Sequence, residues 1–133
     1  MKLPEELQFI ANARMPQHHT EERIDGRLCV ITGATSGVGY AAARRLAQGG
    51  AHLVMVCRNA AKAAQVQAEL ASAYQTQAEV IMADLRSLDQ VRHAAAEILE
   101  RYEHIHLLIN CAGVHQTTRT LTPDGNETAF GVN

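Results

Sequence analysis

Short apolar runs alternate with longer amphipathic stretches along most of this chain. The runs Leu28–Ile31, His52–Cys57, Glu79–Met82 and His106–Asn110 are brief and dominated by Val, Ile, Leu and Met. Runs of that length and content, bounded by turn residues, predict strands buried on both faces. Helical periods lie between them, over Val38–Gln48, Ala60–Tyr74 and a stretch capped by Ser87 that runs to about Arg101. Gly49-Gly50 supplies the stop signal for the first. Its packing face is expected to hold Ala41, Ala42, Leu46 and Ala47, and that of the third Val91, Ala95, Ile98 and Leu99. A further helix is expected to start near Gly125–Asn133. The order β-α-β-α-β-α-β predicts an α/β fold with a parallel sheet covered on both faces. Right-handed crossovers make it the first half of a Rossmann-type doubly wound sheet.

Residues 1–24 lack this periodicity. Leu3, Leu7, Phe9 and Ile10 can form one face of a short helix after Pro4, and Pro16–Thr20 reads as a break. These residues are expected to be an extension, with the domain running from the Asp25-Gly26 turn through residue 133 and incomplete at its C-terminal side. A net charge of −2 without a basic run argues against a nucleic-acid partner. No apolar stretch approaches the roughly 18 residues of a membrane helix. No basic start leads into an apolar signal core either, so a cytoplasmic protein is expected. Cys29, Cys57 and Cys111 sit in or beside strands and read as small buried hydrophobes of a reducing compartment. The histidines are scattered, and no metal site is expected.

The segment Thr32-Gly33-Ala34-Thr35-Ser36-Gly37-Val38-Gly39 joins the first strand to the first helix. A strand, a glycine-rich turn and a helix in that order form a cradle for the phosphates of a dinucleotide. Gly33 permits the sharp exit from the strand. Gly37 has no Cβ to hold a pyrophosphate off the backbone. Gly39 lets the helix pack close to the strand. Ser36 is the expected N-cap, with the other first-turn N–H groups left to face an anion. The competing reading is a glycine-rich turn with no ligand.

With Asp84-Leu85 and Asn110-Cys111-Ala112-Gly113, this segment resembles the short-chain dehydrogenase/reductase family. Thr122-Pro123-Asp124-Gly125 and Phe130-Gly131-Val132-Asn133 resemble its retinol-dehydrogenase-like branch. The resemblance covers residues 25–133 and implies a nicotinamide dinucleotide cofactor with an alcohol or carbonyl substrate. Cys111 departs from it, standing where the family usually has a second Asn. By resemblance Asp84 holds the adenine amino group with the Leu85 backbone beside it. Asn110 steadies the sheet edge, Ala112 and Gly113 lie against the adenosine ribose side, and Val38 offers backbone to the pyrophosphate. Asn133 matches the active-site Asn that supports a water relay. Asp84 also reads as a helix-start acid ahead of Ser87. The second strand ends in Arg58-Asn59, both expected at the cofactor edge, where an NAD site usually offers an acid. The Arg58 guanidinium can pair with a 2′-phosphate, which favours NADP(H) over NAD(H). Its other reading is a solvated surface arginine.

Enzymes of this family exchange a substrate proton through a Tyr followed four residues on by a Lys. Here Tyr40 is followed by Arg44, Tyr74 by Ala78 and Tyr102 by His106. The chain therefore reads as the cofactor-binding half of an oxidoreductase with one member of the catalytic set, Asn133. The alternative is a nucleotide-binding or regulatory module without catalysis. Strand His106–Asn110 would lie at an open edge, so aggregation, dimer formation through that edge or a molten state is expected of the chain in isolation.

Overall fold

The fold is described from a computed structural model that covers Pro4, Leu7, Gln8, Asn12, Ala13, Met15, Pro16 and residues 20–133. The remaining residues of the expected first helix face, Leu3, Phe9 and Ile10, lie outside the described residues, as do Gln17, His18 and His19 of the expected break. The described residues form four strands: β1 (Leu28–Thr32), β2 (His52–Cys57), β3 (Ala78–Met82) and β4 (Leu107–Asn110). Between and after them run α1 (Gly37–Gln48), α2 (Ala60–Tyr74), α3 (Leu88–Arg101) and α4 (Thr128–Val132). The sheet is parallel throughout, in the order β3-β2-β1-β4.

That order follows from the crossovers. From β1 through β2 to β3 the chain moves one way across the sheet, then returns past β1 to β4. Right-handed connections put helices on one face going out and on the other coming back. Accordingly α1 and α2 pack with Cys29, Ile31, Leu53 and Met55 on one face. The alternating residues Leu28, Val30, Val54 and Val56 pack with Ala94 and Ile98 of α3 on the other. The direction reverses between β1 and β4, which opens a crevice at the carboxyl ends of those strands.

Two helix faces differ from expectation. The buried stripe of α1 is Gly39, Ala43 and Ala47, spaced four residues apart; of the expected face, Ala47 is buried, Ala42 and Leu46 pack partly buried against the core, and Ala41 is exposed. The close approach of Gly39 to the end of β1 sets this rotation. In α3 the buried residues are Ala94 and Ile98, with Ala95 exposed and Leu99 72% exposed. The α3 stripe turns toward β1, β2 and β3 and leaves β4 bare, with Leu108 60% exposed. β4 also starts one residue late. His106 donates its N–H to Leu28 O at 3.0 Å, but its ring Nδ1 accepts the Leu28 N–H at 3.0 Å in place of a backbone carbonyl. The last helix is shorter than expected because Glu127, not a residue near Gly125, caps it. The lead-in is stitched to the domain where Ile24 N–H donates to Gly49 O at 2.8 Å. No helix among the described residues is long and apolar enough to cross a membrane.

At the opposite end of the sheet from the crevice, Glu79 lies 2.8 Å from His52 Nε2 and 3.5 Å from Arg101 Nη1. The Tyr102 hydroxyl, and after it His52, hold the Glu79 carboxyl below the usual carboxylate range. Burial, and then Glu79, push Tyr102 up to about 12. A lowered carboxyl contributes stability above its unfolded value and loses it as pH falls through the folded one. Glu79→Gln should therefore lower stability near neutrality by less than about 1 kcal/mol, since the side chain is 40% exposed. The gap to the parent should close in acid. Urea midpoints of both chains between neutral pH and pH ~3 check this, and a gap that does not narrow contradicts it.

Candidate functional site

The exit from β1 is built on two glycines that touch neighbouring backbone. Gly33 turns the chain at φ +70°, and a Cβ there would stand 2.7 Å from Ala112 Cα. At Gly39 a Cβ would stand 2.3 Å from Gly33 O and 3.2 Å from Cys111 Cβ. The turn is thereby wedged against the segment after β4, and Thr32 Oγ1 accepts the Ala112 N–H at 3.1 Å to close it. Gly37 has φ +56° and open space where a Cβ would be.

Ser36 stands at the N-cap position, as expected, but its hydroxyl accepts no hydrogen bond from the helix. Its extended backbone (φ −163°) lets only its carbonyl engage, taking the Tyr40 N–H at 3.2 Å. The first-turn N–H groups of α1 are left for other acceptors, at the end of the helix where the dipole is positive. Val38, 80% exposed, presents this turn to the crevice.

A cavity of about 460 Å³ fills the crevice, within the usual range for small-molecule sites. Gly33, Ser36, Val38 and Gly39 form its floor, and Ala112 and Gly113 one wall. Arg58, Asn59, Asp84 and Leu85 form the other end. Gly37 and Asn110 are not part of the lining: Gly37 faces open space, and Asn110 ends β4 opposite Thr32. Nor is Asn133, although its neighbour Val132 is. Its carboxamide takes both polar groups of Val114, accepting the N–H at 2.8 Å and donating to the carbonyl at 3.0 Å.

Several lining residues escaped the sequence analysis, among them Thr35, Lys62, Arg86 and Val114. Lys62 carried a signal, being three residues after the α2 cap; its N–H donates to Asn59 Oδ1 at 2.9 Å. Asn59 is thus both cap and lining. Arg86 folds back on Asp84, with Nε 2.9 Å and Nη2 2.6 Å from Oδ2, and its own N–H donates to Oδ1 at 3.0 Å. These bonds, chiefly that to the Arg86 side chain, hold the Asp84 carboxyl below its ordinary range, and the Arg58 charge adds to this. Asp84 is also a helix-start residue: its carbonyl accepts the Ser87 N–H at 3.0 Å and its N–H donates to Gln90 Oε1 at 2.8 Å. The Ser87 hydroxyl in turn accepts the Gln90 N–H. The cavity lining carries the cations Arg58, Lys62 and Arg86 against the single carboxylate of Asp84, an electrostatic setting for an anion.

A family model described as short chain dehydrogenase matches residues 27–133. The chain belongs to the short-chain dehydrogenase family. Retinol dehydrogenase 12 of Mus musculus is 38% identical over 115 residues, which are 86% of this chain and 36% of that protein. Human retinol dehydrogenase 13 is 35% identical over 83% of the chain and 34% of its own length. The relationship is therefore to the retinol-dehydrogenase-like branch, and the chain spans about a third of these curated relatives. Among solved structures, a Mycobacterium paratuberculosis protein superposes with a TM-score of 0.72 at 35% identity, over 84% of this chain and 39% of that one. The short-chain dehydrogenase fold accounts for the parallel sheet and for the crevice between β1 and β4.

Proposed function

We propose that this chain forms the cofactor-binding part of an NADP(H)-dependent short-chain oxidoreductase acting on a carbonyl or alcohol carbon. The observation that carries the reading is the crevice itself: unclaimed first-turn amides over a glycine floor, with three cations at one end. The α1 amides would receive the pyrophosphate. Arg58, with Lys62 beside it, would receive a 2′-phosphate. Asp84 and Leu85 would face the adenine, Ala112 and Gly113 the ribose. RhlG of Pseudomonas aeruginosa, a relative solved as an NADP active-site complex, supports the cofactor class at 31% identity and a TM-score of 0.64. Bound there, the nicotinamide would supply the hydride chemistry, and the protein position and electrostatics.

The chemistry also needs a proton donor. No Tyr here has a Lys four residues on. A positioned acid or base typically contributes about 10²–10⁴-fold in rate. The 133-residue chain, assayed with NADPH and a panel of aldehydes and ketones, is therefore expected to show no family-level turnover; turnover at that level contradicts the claim that this chain lacks the proton donor. A second reading, a nucleotide-binding module without catalysis, applies only if Asn133 is the natural end of the chain. An encoding frame that runs on into a Tyr-xxx-Lys segment supports the oxidoreductase, and a stop codon directly after Asn133 overturns it in favour of the module.

A further inference from the structure

The segment Thr122-Pro123-Asp124-Gly125 has no task in the cofactor reading. Thr122, 6% exposed, closes it into a tight turn. Its carbonyl accepts the Gly125 N–H at 2.9 Å, its hydroxyl accepts the Asn126 N–H at 3.2 Å, and Gly125 takes φ +82°. The Asp124 carboxylate points away from this turn. Its Oδ2 accepts the N–H of Leu88, the first residue of α3, at 2.8 Å across 36 positions of sequence. Ser87 serves Gln90, so Asp124 takes a second, separate place at a helix end that favours negative charge.

The turn is fixed equally well on its other side. The Glu127 carboxylate accepts the Ala129 and Phe130 N–H groups at 3.0 and 2.8 Å. A Cβ at Gly131 would stand 3.1 Å from Thr122 Cγ2, so α4 rests directly on the turn. Past α4, Asn133 grips Val114 on the cavity wall. Before α3, Asp84, Leu85 and Arg86 form the opposite end of the same cavity. One chain of contacts thus runs from that end through Leu88, Asp124, α4 and Asn133 to Val114.

We propose that Asp124 is a positioning residue that ties the two ends of the cavity together, so that losing its bond to Leu88 loosens the Asn133–Val114 pairing and weakens dinucleotide binding. The binding half of this rests on the cofactor reading; the coupling half does not. The test compares the 133-residue chain with Asp124→Ala and Asp124→Asn. Hydrogen exchange is followed at the Leu88 and Val114 amides, and NADPH affinity by titration. Asp124→Ala should speed exchange at both amides, leave the amides of β2 protected, and weaken NADPH on the order of tenfold, as loss of a helix cap allows. Asp124→Asn, which keeps an acceptor oxygen, should restore most of both. Faster exchange at Leu88 with Val114 unchanged, uniform acceleration through β2, or coupled exchange with unchanged NADPH affinity each overturns the proposal. If the parent chain binds no NADPH, the cofactor reading fails, and exchange at Val114 alone decides the coupling.

Discussion

Gly33→Ala is expected to destabilise the fold by about 2–5 kcal/mol, because a left-handed backbone position and an overpacked contact both oppose the new methyl. The residue sits at φ +70°, and the methyl would meet Ala112 Cα and N at 2.7 and 2.8 Å. Those are backbone atoms, held in place by the Ala112–Thr32 hydrogen bond, so neither side can yield cheaply. Gly37→Ala is the internal control. Its φ of +56° carries the same conformational cost, but nothing lies within 4 Å. It should cost only about 1–2 kcal/mol; Gly37 lies outside the cavity lining, but on the proposed cofactor reading a pyrophosphate would approach the first turn beside it and the added methyl would oppose that approach. Urea unfolding and NADPH titration of the two variants separate a wedge from a binding surface. Equal stability losses, or unchanged NADPH affinity in Gly37→Ala, contradict these roles.

Arg58→Asp is expected to weaken NADPH by about ten- to hundredfold and NADH by no more than a few-fold. Arg58 stands at the cation-rich end of the cavity beside Asp84, whose carboxylate Arg86 already occupies. Its guanidinium is thus the one without a local carboxylate bond among the described contacts, and a 2′-phosphate would engage it. Asp at this position removes that partner and adds repulsion, and it offers an acceptor to a ribose 2′-hydroxyl. Paired titrations with the two cofactors decide it: parallel losses would make Arg58 an ordinary surface arginine.

What the sequence made legible follows from where the physics is local. Parallel strands buried on both faces read as continuous apolar runs, so β1, β2 and β3 were visible to within a residue. The glycines of the first turn were legible because each answers to a backbone requirement. Helix rotation was not. Four alanines and two glycines make up half of the twelve residues of α1, and such small residues leave the stripe to be chosen by the contact at Gly39 rather than by pattern. Leu99 looked like a core residue by spacing, yet α3 turns it outward. Side-chain partners set by tertiary approach were equally hidden. The His106 ring meets Leu28 across 78 positions of sequence, and no local pattern announces such a bond. The Arg86–Asp84 fork spans only two positions, but it competes with the adenine role that resemblance implies for Asp84. The idle Ser36 hydroxyl was hidden for a related reason, since a cap residue is read from its type while its φ is set by the cradle.

Calorimetric titration of the folded chain with NADPH and with NADH tests the central claim most directly. Saturable binding of one NADPH per chain, tighter than NADH by about tenfold or more as a charge-assisted phosphate contact requires, is the predicted result. A folded chain that binds neither cofactor, or binds NADH as tightly as NADPH, would contradict it.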